Sequence, residues 1–354
     1  MIASRLRSVL KHKMILQRLK LNIALFFFLI PTLVVAQPMM DSEPKSLSNL
    51  VHILAEAESI NSLRSLIIQQ NGEVISERYF KGRSPNRAFN IKSASKSIIA
   101  LLIGIAIEEG FIPSVDEPIS SYFPEYFKQN PNPKKENISL KNLLSMQAGL
   151  RSTSSGNYGA WVISDNWVDF ALDQEFVADI DGRMVYSTGT SHLLSVIITK
   201  ASGMSTKAFA DEFLFAPLNI RVGGWDRDPQ GYYMGGNNMA LKPSDLLKIG
   251  QMLLDDGVWE NQQIVSKKWI VDSFQTYTYS NYNPYGYGYQ WWNKKTAGYT
   301  TFFAWGHGGQ YIMMIPELNA VVVMTSSVTA ESRRRTYKRH IFDLLESHII
   351  PFLE

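Results

Sequence analysis

Three short stretches of this 354-residue chain hold side chains able to move a proton or form a covalent bond. In Ser93-Ala94-Ser95-Lys96 a hydroxyl and an amine stand at positions i and i+3, just ahead of Ile98–Ile107, which is apolar on nearly every face. Residues at this spacing are neighbours on a helix, so the Ser93 hydroxyl is expected beside the Lys96 amine at the start of a buried helix. Serine oxygen is a weak nucleophile until a base takes its proton. Lysine can be that base only where burial or nearby cations lower its pKa, and a helix N-terminal dipole acts in the same sense. The spacing by itself also describes an N-cap serine followed by a solvated lysine. Ser8-Val9-Leu10-Lys11 and Ser42-Glu43-Pro44-Lys45 share it without the context.

The second stretch is Tyr186-Ser187-Thr188, a short loop leading into an apolar helix that ends at Ser202-Gly203. The third, Gly306-His307-Gly308-Gly309-Gln310, approaches the strand-like run Tyr311–Ile315. Glycines there let a backbone come close to a ligand, and the strand edge can present an N–H group. Tyr186 and His307, each taken singly, read as ordinary packed residues, and His192 is a further candidate neighbour of the site. No Gly-x-Ser-x-Gly elbow or His-Glu-x-x-His motif is present, and the six histidines lack metal-ligand spacing. The chemistry expected is that of an activated serine, with no metal and no organic cofactor.

These stretches need a scaffold. Leu66–Gln70 and Glu73–Phe80 flank Asn71-Gly72, a two-residue hairpin turn. Residues 97–274 read mostly as helix, and strand patterns return at Tyr285–Trp292, Tyr311–Ile315 and Ala320–Ser326, with Pro316–Asn319 as the last turn. A closing helix, about Ser332–His348, carries Ile341, Phe342, Leu344 and Leu345 as an apolar stripe, with Arg333-Arg334-Arg335 read as a solvated face. An isolated hairpin is marginal, so the early pair should join the late strands. The fold class expected is α+β: an antiparallel sheet of about five strands flanked by helices, with a mostly helical second region. Residues 37–354 would form one unit, its platform built from about 46–110 and 275–354 and its helical region from about 111–274. The tyrosines and tryptophans between Tyr277 and Trp292 are assigned mainly to sheet packing.

Composition narrows the setting. Residues 1–36 carry six basic side chains and no acid, which leaves 29 basic and 32 acidic groups in the rest, a net of −3. That balance argues against a general nucleic-acid binder. The basic start, the apolar run Leu21–Ala36 and the small residues Val34 and Ala36 have the order of a secretory signal, with cleavage expected after Ala36. An uncleaved anchor is the alternative. With no cysteine, disulfides and thiolate–metal sites are excluded. A periplasmic or secreted protein is expected, without a membrane span after cleavage; its oligomeric state is not legible.

Ser93-Ala94-Ser95-Lys96, Tyr186-Ser187-Thr188 and His307-Gly308-Gly309, in this order, resemble the three motifs of the penicillin-recognising serine hydrolases, nearest the class C β-lactamase and esterase branch. Ile138–Leu150, Gly235-Gly236 and Lys242–Leu246 are similar as well, and the resemblance runs from about Leu66 to Phe352. Gly286–Tyr289 and Gly308–Tyr311 are most like the subgroup acting on aminohexanoate oligomers and simple esters. The resemblance implies Ser93 as acylated nucleophile, Lys96 and Tyr186 as shared general base, and His307 near Tyr186 in the third motif. It further implies an oxyanion hole from the backbone N–H groups of Ser93 and Gln310, and substrate contacts at Thr188, Gly308 and Gly309. Two departures matter. Thr188 stands where the family usually has Asn, and His307 where it often has Lys, so cleavage of a small ester or amide is favoured over β-lactams. A cell-wall D-amino peptidase or weak β-lactamase, and a catalytically silent binding protein, are the alternatives.

Overall fold

A computed structural model of the chain describes residues 47–354; the apolar leader and its expected cleavage site lie outside them. Helix α1 (Leu47–Ser59) precedes strands β1 (Leu63–Gln70) and β2 (Glu73–Tyr79). Asn71 and Gly72 join the strands with φ of 53° and 80°, the left-handed pair that a two-residue hairpin turn requires. The helical middle includes α2 (Ser95–Glu108), α3 (Thr188–Ser202) and α4 (Pro243–Leu254). The chain returns through β3 (Thr278–Tyr279), β4 (Gly286–Tyr287), β5 (Trp292–Thr296), β6 (Tyr299–Gly306), β7 (Gln310–Ile315) and β8 (Ala320–Ser326), then closes with α5 (Arg335–Leu344).

These strands form one antiparallel sheet in the order β2-β1-β8-β7-β6-β5-β4-β3. The first and last strands of the described residues therefore meet in it, with Ile67 opposite Val323 and Ile68 opposite Val322. Alternation along the central strands explains the layers. Ile312, Met314, Val321 and Val323 enter the core shared with α2, α3 and α4, while Met313, Ile315, Val322 and Met324 enter the core shared with α1 and α5. Strands covered on both faces carry near-continuous apolar runs, as these do.

The sheet has eight strands rather than about five. Two differences account for most of this. Tyr285–Trp292 is not one strand: the chain reverses between β4 and β5, with Gln290 at φ 61° and its buried side-chain amide donating to the carbonyls of Leu143 and Leu144. Strand β6 includes Thr300, Thr301 and Phe302, whose mixed polarity gives a weak alternation. A small three-stranded sheet, Phe89–Asn90, Met239–Leu241 and Gly224–Trp225, interrupts the helical middle. Among the described residues no helix is long and apolar enough to cross a membrane.

Candidate active site

Ser93 lies in a 3-10 turn, Lys92–Ala94, immediately before α2 rather than inside its first α-turn. The small sheet anchors the approach: the Ile91 N–H donates to the Met239 carbonyl at 2.9 Å, and the Lys92 N–H donates to Asn90 Oδ1 at 2.9 Å. Lys92 has φ 53°, a conformation uncommon for a residue with a Cβ, so this turn is strained directly before the hydroxyl. On its other side the turn packs against the β6–β7 hairpin. A Cβ on Gly306 would lie 2.0 Å from the Ile91 carbonyl oxygen, so only glycine lets the strand end press on the nucleophile turn. Gly306→Ala is accordingly expected to lower unfolding free energy by about 1–3 kcal/mol, read as a shifted urea midpoint. An unchanged midpoint would show that the approach is not needed.

The i, i+3 expectation holds in space. Lys96 Nζ stands 3.3 Å from Ser93 Oγ, 3.3 Å from Thr188 Oγ1 and 2.5 Å from the Gly236 carbonyl oxygen. Lys96 is 1% exposed, whereas Ser93 is partly open to solvent. Burial lowers the Lys96 pKa to about 7, and among the described residues no carboxylate forms an ion pair with it. An amine in this state is substantially uncharged near neutrality and has two N–H groups and one lone pair. The Gly236 carbonyl and Thr188 hydroxyl are placed to take the N–H groups, which leaves the lone pair for Ser93.

Tyr186 completes the cluster. Its phenol is close enough to Ser93 to feel that side chain, and its ring lies 5.1 Å from Lys96 Nζ. The ring stacks on Trp292 with centroids 5.7 Å apart and meets Tyr287 edge-on at 6.1 Å. Burial behind this aromatic wall pushes the phenol up to about 12, against the opposing influence of the Ser93 side chain, so Tyr186 is protonated at neutral pH. Part of the aromatic run assigned to sheet packing therefore supports the site, through Trp292. Tyr279 and Tyr282 are exposed.

Thr188 begins α3 and is tied down twice, its N–H donating to Ser154 Oγ at 2.9 Å and its hydroxyl 2.8 Å from the same atom. Ser152 Oγ donates to the Tyr186 carbonyl at 2.6 Å, and the Gly189 N–H donates to Thr153 Oγ1 at 2.6 Å. Ser152, Thr153 and Ser154 thus hold the Tyr186 loop. In the sequence nothing ties them to Tyr186; consecutive short hydroxyl side chains are the signal that could have marked them.

His307 sits exposed in the β6–β7 turn, and among the described residues it has no hydrogen-bonding partner. Desolvation by the surrounding protein, together with Arg333 and Lys92, holds its pKa below the ordinary histidine value, so the ring is uncharged at neutral pH. Arg333, read as part of a solvated helix face, lies in the turn before α5, and with Lys92 it sets a positive field at His307. Gly308 and Gly309 are buried with φ of 81° and 94°. A Cβ on Gly309 would stand 2.6 Å from Tyr337 Cε1, and one on Gly308 2.9 Å from Val328 Cγ2, so their missing side chains make room for protein packing. The Gln310 side chain is also engaged. Its Nε2 donates to the Ser326 carbonyl at 2.8 Å and its Oε1 accepts the Ser326 N–H at 3.1 Å. These two bonds pin the start of β7, opposite Gly306, against β8.

A layered α+β fold whose buried lysine meets a serine before a central helix defines a class, the penicillin-recognising serine hydrolases. The Beta-lactamase family model matches residues 64–346, and the chain belongs to the beta-lactamase family. Among curated relatives, the chain is 23% identical over 291 residues to a 6-aminohexanoate-dimer hydrolase of Paenarthrobacter ureafaciens, covering 74% of this chain and 72% of that one. It superposes on the octameric penicillin-binding protein homologue from Pyrococcus abyssi with TM-score 0.68 and 21% identity, covering 86% of this chain and 77% of the other. The hydrolase EstCE1, described as having promiscuous acyltransferase activity, superposes with TM-score 0.70 and 17% identity over 84% of this chain and 98% of the other. The structural likenesses establish the fold. The family and its relatives make the chain a serine hydrolase of the beta-lactamase and penicillin-binding-protein type.

Proposed function

We propose that this protein is a secreted hydrolase that cleaves an ester or amide of a small molecule through an acyl-enzyme on Ser93. The observation that carries this reading is a buried lysine, its pKa lowered to about 7, within 3.3 Å of the Ser93 hydroxyl. Lys96 takes the Ser93 proton as Oγ bonds to the substrate carbonyl carbon. The charge that develops on the carbonyl oxygen is met by the backbone N–H groups of Ser93 and Gln310. As the carbon–heteroatom bond breaks, the proton passes through the Tyr186 phenol to the leaving alcohol or amine. Water then attacks the acyl group along the reverse proton route, freeing the acid and Ser93. His307, uncharged beside Lys92 and Arg333, lines the entrance as a hydrogen-bonding group. Gly308 and Gly309, packed against Val328 and Tyr337, set the course of the hairpin that carries the Gln310 N–H.

The Thr188 hydroxyl favours this reading over β-lactam cleavage. It is shared by Lys96 and Ser154, and so is already engaged before a substrate amide could reach it. Secretion rests on the leader sequence, and amino-terminal sequencing of the exported protein tests cleavage after Ala36. A fluorophosphonate probe is expected to add one adduct at Ser93, followed by turnover of short-chain esters or small amides, the 6-aminohexanoate dimer among them. Failure of the probe to label an otherwise folded protein would favour the silent binding protein. A stable penicillin adduct on Ser93, found by mass spectrometry with no ester turnover, would favour the cell-wall peptidase.

A further inference from the structure

Beneath the site lies a second polar group that the proton transfer does not touch. His192, in the first turns of α3, and Asp228, in the loop between Trp225 and Met239, have fully buried side chains joined by a 2.9 Å contact between His192 Nε2 and Asp228 Oδ2. Trp161 and Trp167 close over the imidazole edge-on, with centroids at 5.8 and 5.7 Å. The other carboxylate oxygen, Oδ1, accepts the Tyr232 N–H at 2.7 Å. The other ring nitrogen, Nδ1, accepts the Gly235 N–H at 3.3 Å. One residue further on, the Gly236 carbonyl takes the Lys96 amine at 2.5 Å.

The hydrogen-bond directions fix the proton. A nitrogen that accepts a backbone N–H carries no hydrogen, so the imidazole proton must be on Nε2, where Asp228 accepts it. The carboxylate in turn is oriented by Tyr232. A buried histidine–carboxylate pair is a poor device for stability compared with apolar groups of the same volume. Its place in this fold gives it another use. Gly235 is pressed on α3 so closely that a Cβ would lie 2.2 Å from the Ser191 carbonyl oxygen, and the segment has to be held there for Gly236 to reach Lys96.

We infer that His192 and Asp228 are positioning residues: Asp228 sets the tautomer of His192, His192 holds the Gly235-Gly236 segment, and the Gly236 carbonyl aims the Lys96 lone pair at Ser93. This rests on the proposed roles of Ser93 and Lys96 and adds to them two residues that never touch substrate.

Asp228→Asn is the discriminating change because it is isosteric. The Tyr232 N–H keeps the amide oxygen on its side, so the amide nitrogen faces Nε2. His192 must then move its proton to Nδ1, where it opposes the Gly235 N–H. The expected result is a kcat lower by on the order of 10²-fold, from displacement of the base, with KM within about twofold. The double variant His192→Asn/Asp228→Asn places an amide oxygen on α3 that can accept the Gly235 N–H, and it is expected to recover most of that loss. In the unsubstituted protein, nitrogen NMR of the His192 ring is expected to show the proton on Nε2 alone, whether or not a substrate is turned over. A ring protonated on Nδ1 overturns the inference. So does an unchanged kcat in Asp228→Asn, or a loss that follows the melting temperature and is not recovered in the double variant. Ser93→Ala measured beside them reports on the hydrolase reading alone, so the two failures are separable.

Discussion

Ser93→Ala is expected to lower turnover by about 10³-fold or more, because it removes the proposed nucleophilic oxygen while leaving the scaffold in place. Ser93 is only partly buried, and Lys96 keeps Gly236 and Thr188 as partners when the hydroxyl is gone. Melting temperature should therefore change little. Residual activity would come from the oxyanion donors and from binding, which survive the substitution. The measurement is single-turnover kinetics on the best ester or amide of the panel, with intact-protein mass spectrometry for the acyl adduct. A variant that retains the parent's rate on every substrate, or still carries the adduct, rules out Ser93 as the nucleophile.

The second large effect is a dependence on pH with a defined sign. In the proposed mechanism the unprotonated Lys96 amine is the working form, and burial alone brings its pKa to about 7. Below that value kcat/KM is expected to fall about tenfold per pH unit as the amine takes up a proton, and above it to level off until Tyr186, at about 12, begins to ionise. Lys96→Met retains much of the apolar stem and is expected to lose on the order of 10³-fold in kcat and the inflection near neutrality together. The same group ties stability to pH. Between about 7 and the ordinary lysine range the unfolded chain holds a proton on Lys96 that the folded protein does not. The unfolded state binds more protons there, so stability rises with pH, by about 1.4 kcal/mol per unit from this group while the difference is complete. Below about 7 both states are protonated, and the folded state bears the full cost of a buried ammonium. Denaturation of the parent and of Lys96→Met from pH 6 to 10 reads this directly, since the variant should lack the slope. Equal slopes would mean that Lys96 is already charged in the folded protein.

Both effects depend on features of differing legibility. The burial of the helix after Lys96 is visible in Ile98–Ile107, because a helix apolar on every face has no solvent side, whereas the polar first turn leaves a solvated Lys96 equally readable. The Asn71-Gly72 hairpin is visible because few residue pairs accept two positive φ values. Strand β6 is not, because its pattern is half polar and it is stabilised by neighbours distant in sequence. The apparent strand Tyr285–Trp292 misleads for the same reason. Alternating aromatics satisfy a strand pattern, but Gln290 turns the chain to reach two carbonyls near residue 143, a tertiary demand with no local trace. Arg333 reads as solvated because its influence on His307 is electrostatic and crosses from one element to another.

The sequence alone determined the candidate groups, their order and the apolar helix beside them, since these follow from residue types and helical periodicity. Tertiary structure alone decided where the lysine points. The acceptor that orients it is the backbone carbonyl of Gly236, and a carbonyl is present at every residue, so nothing in the letters marks the one that matters. Folding brings that carbonyl from one segment, and the Thr188 hydroxyl and Tyr186 ring from another, around one amine. The uncharged state of Lys96 is likewise a property of that enclosure rather than of the residue type.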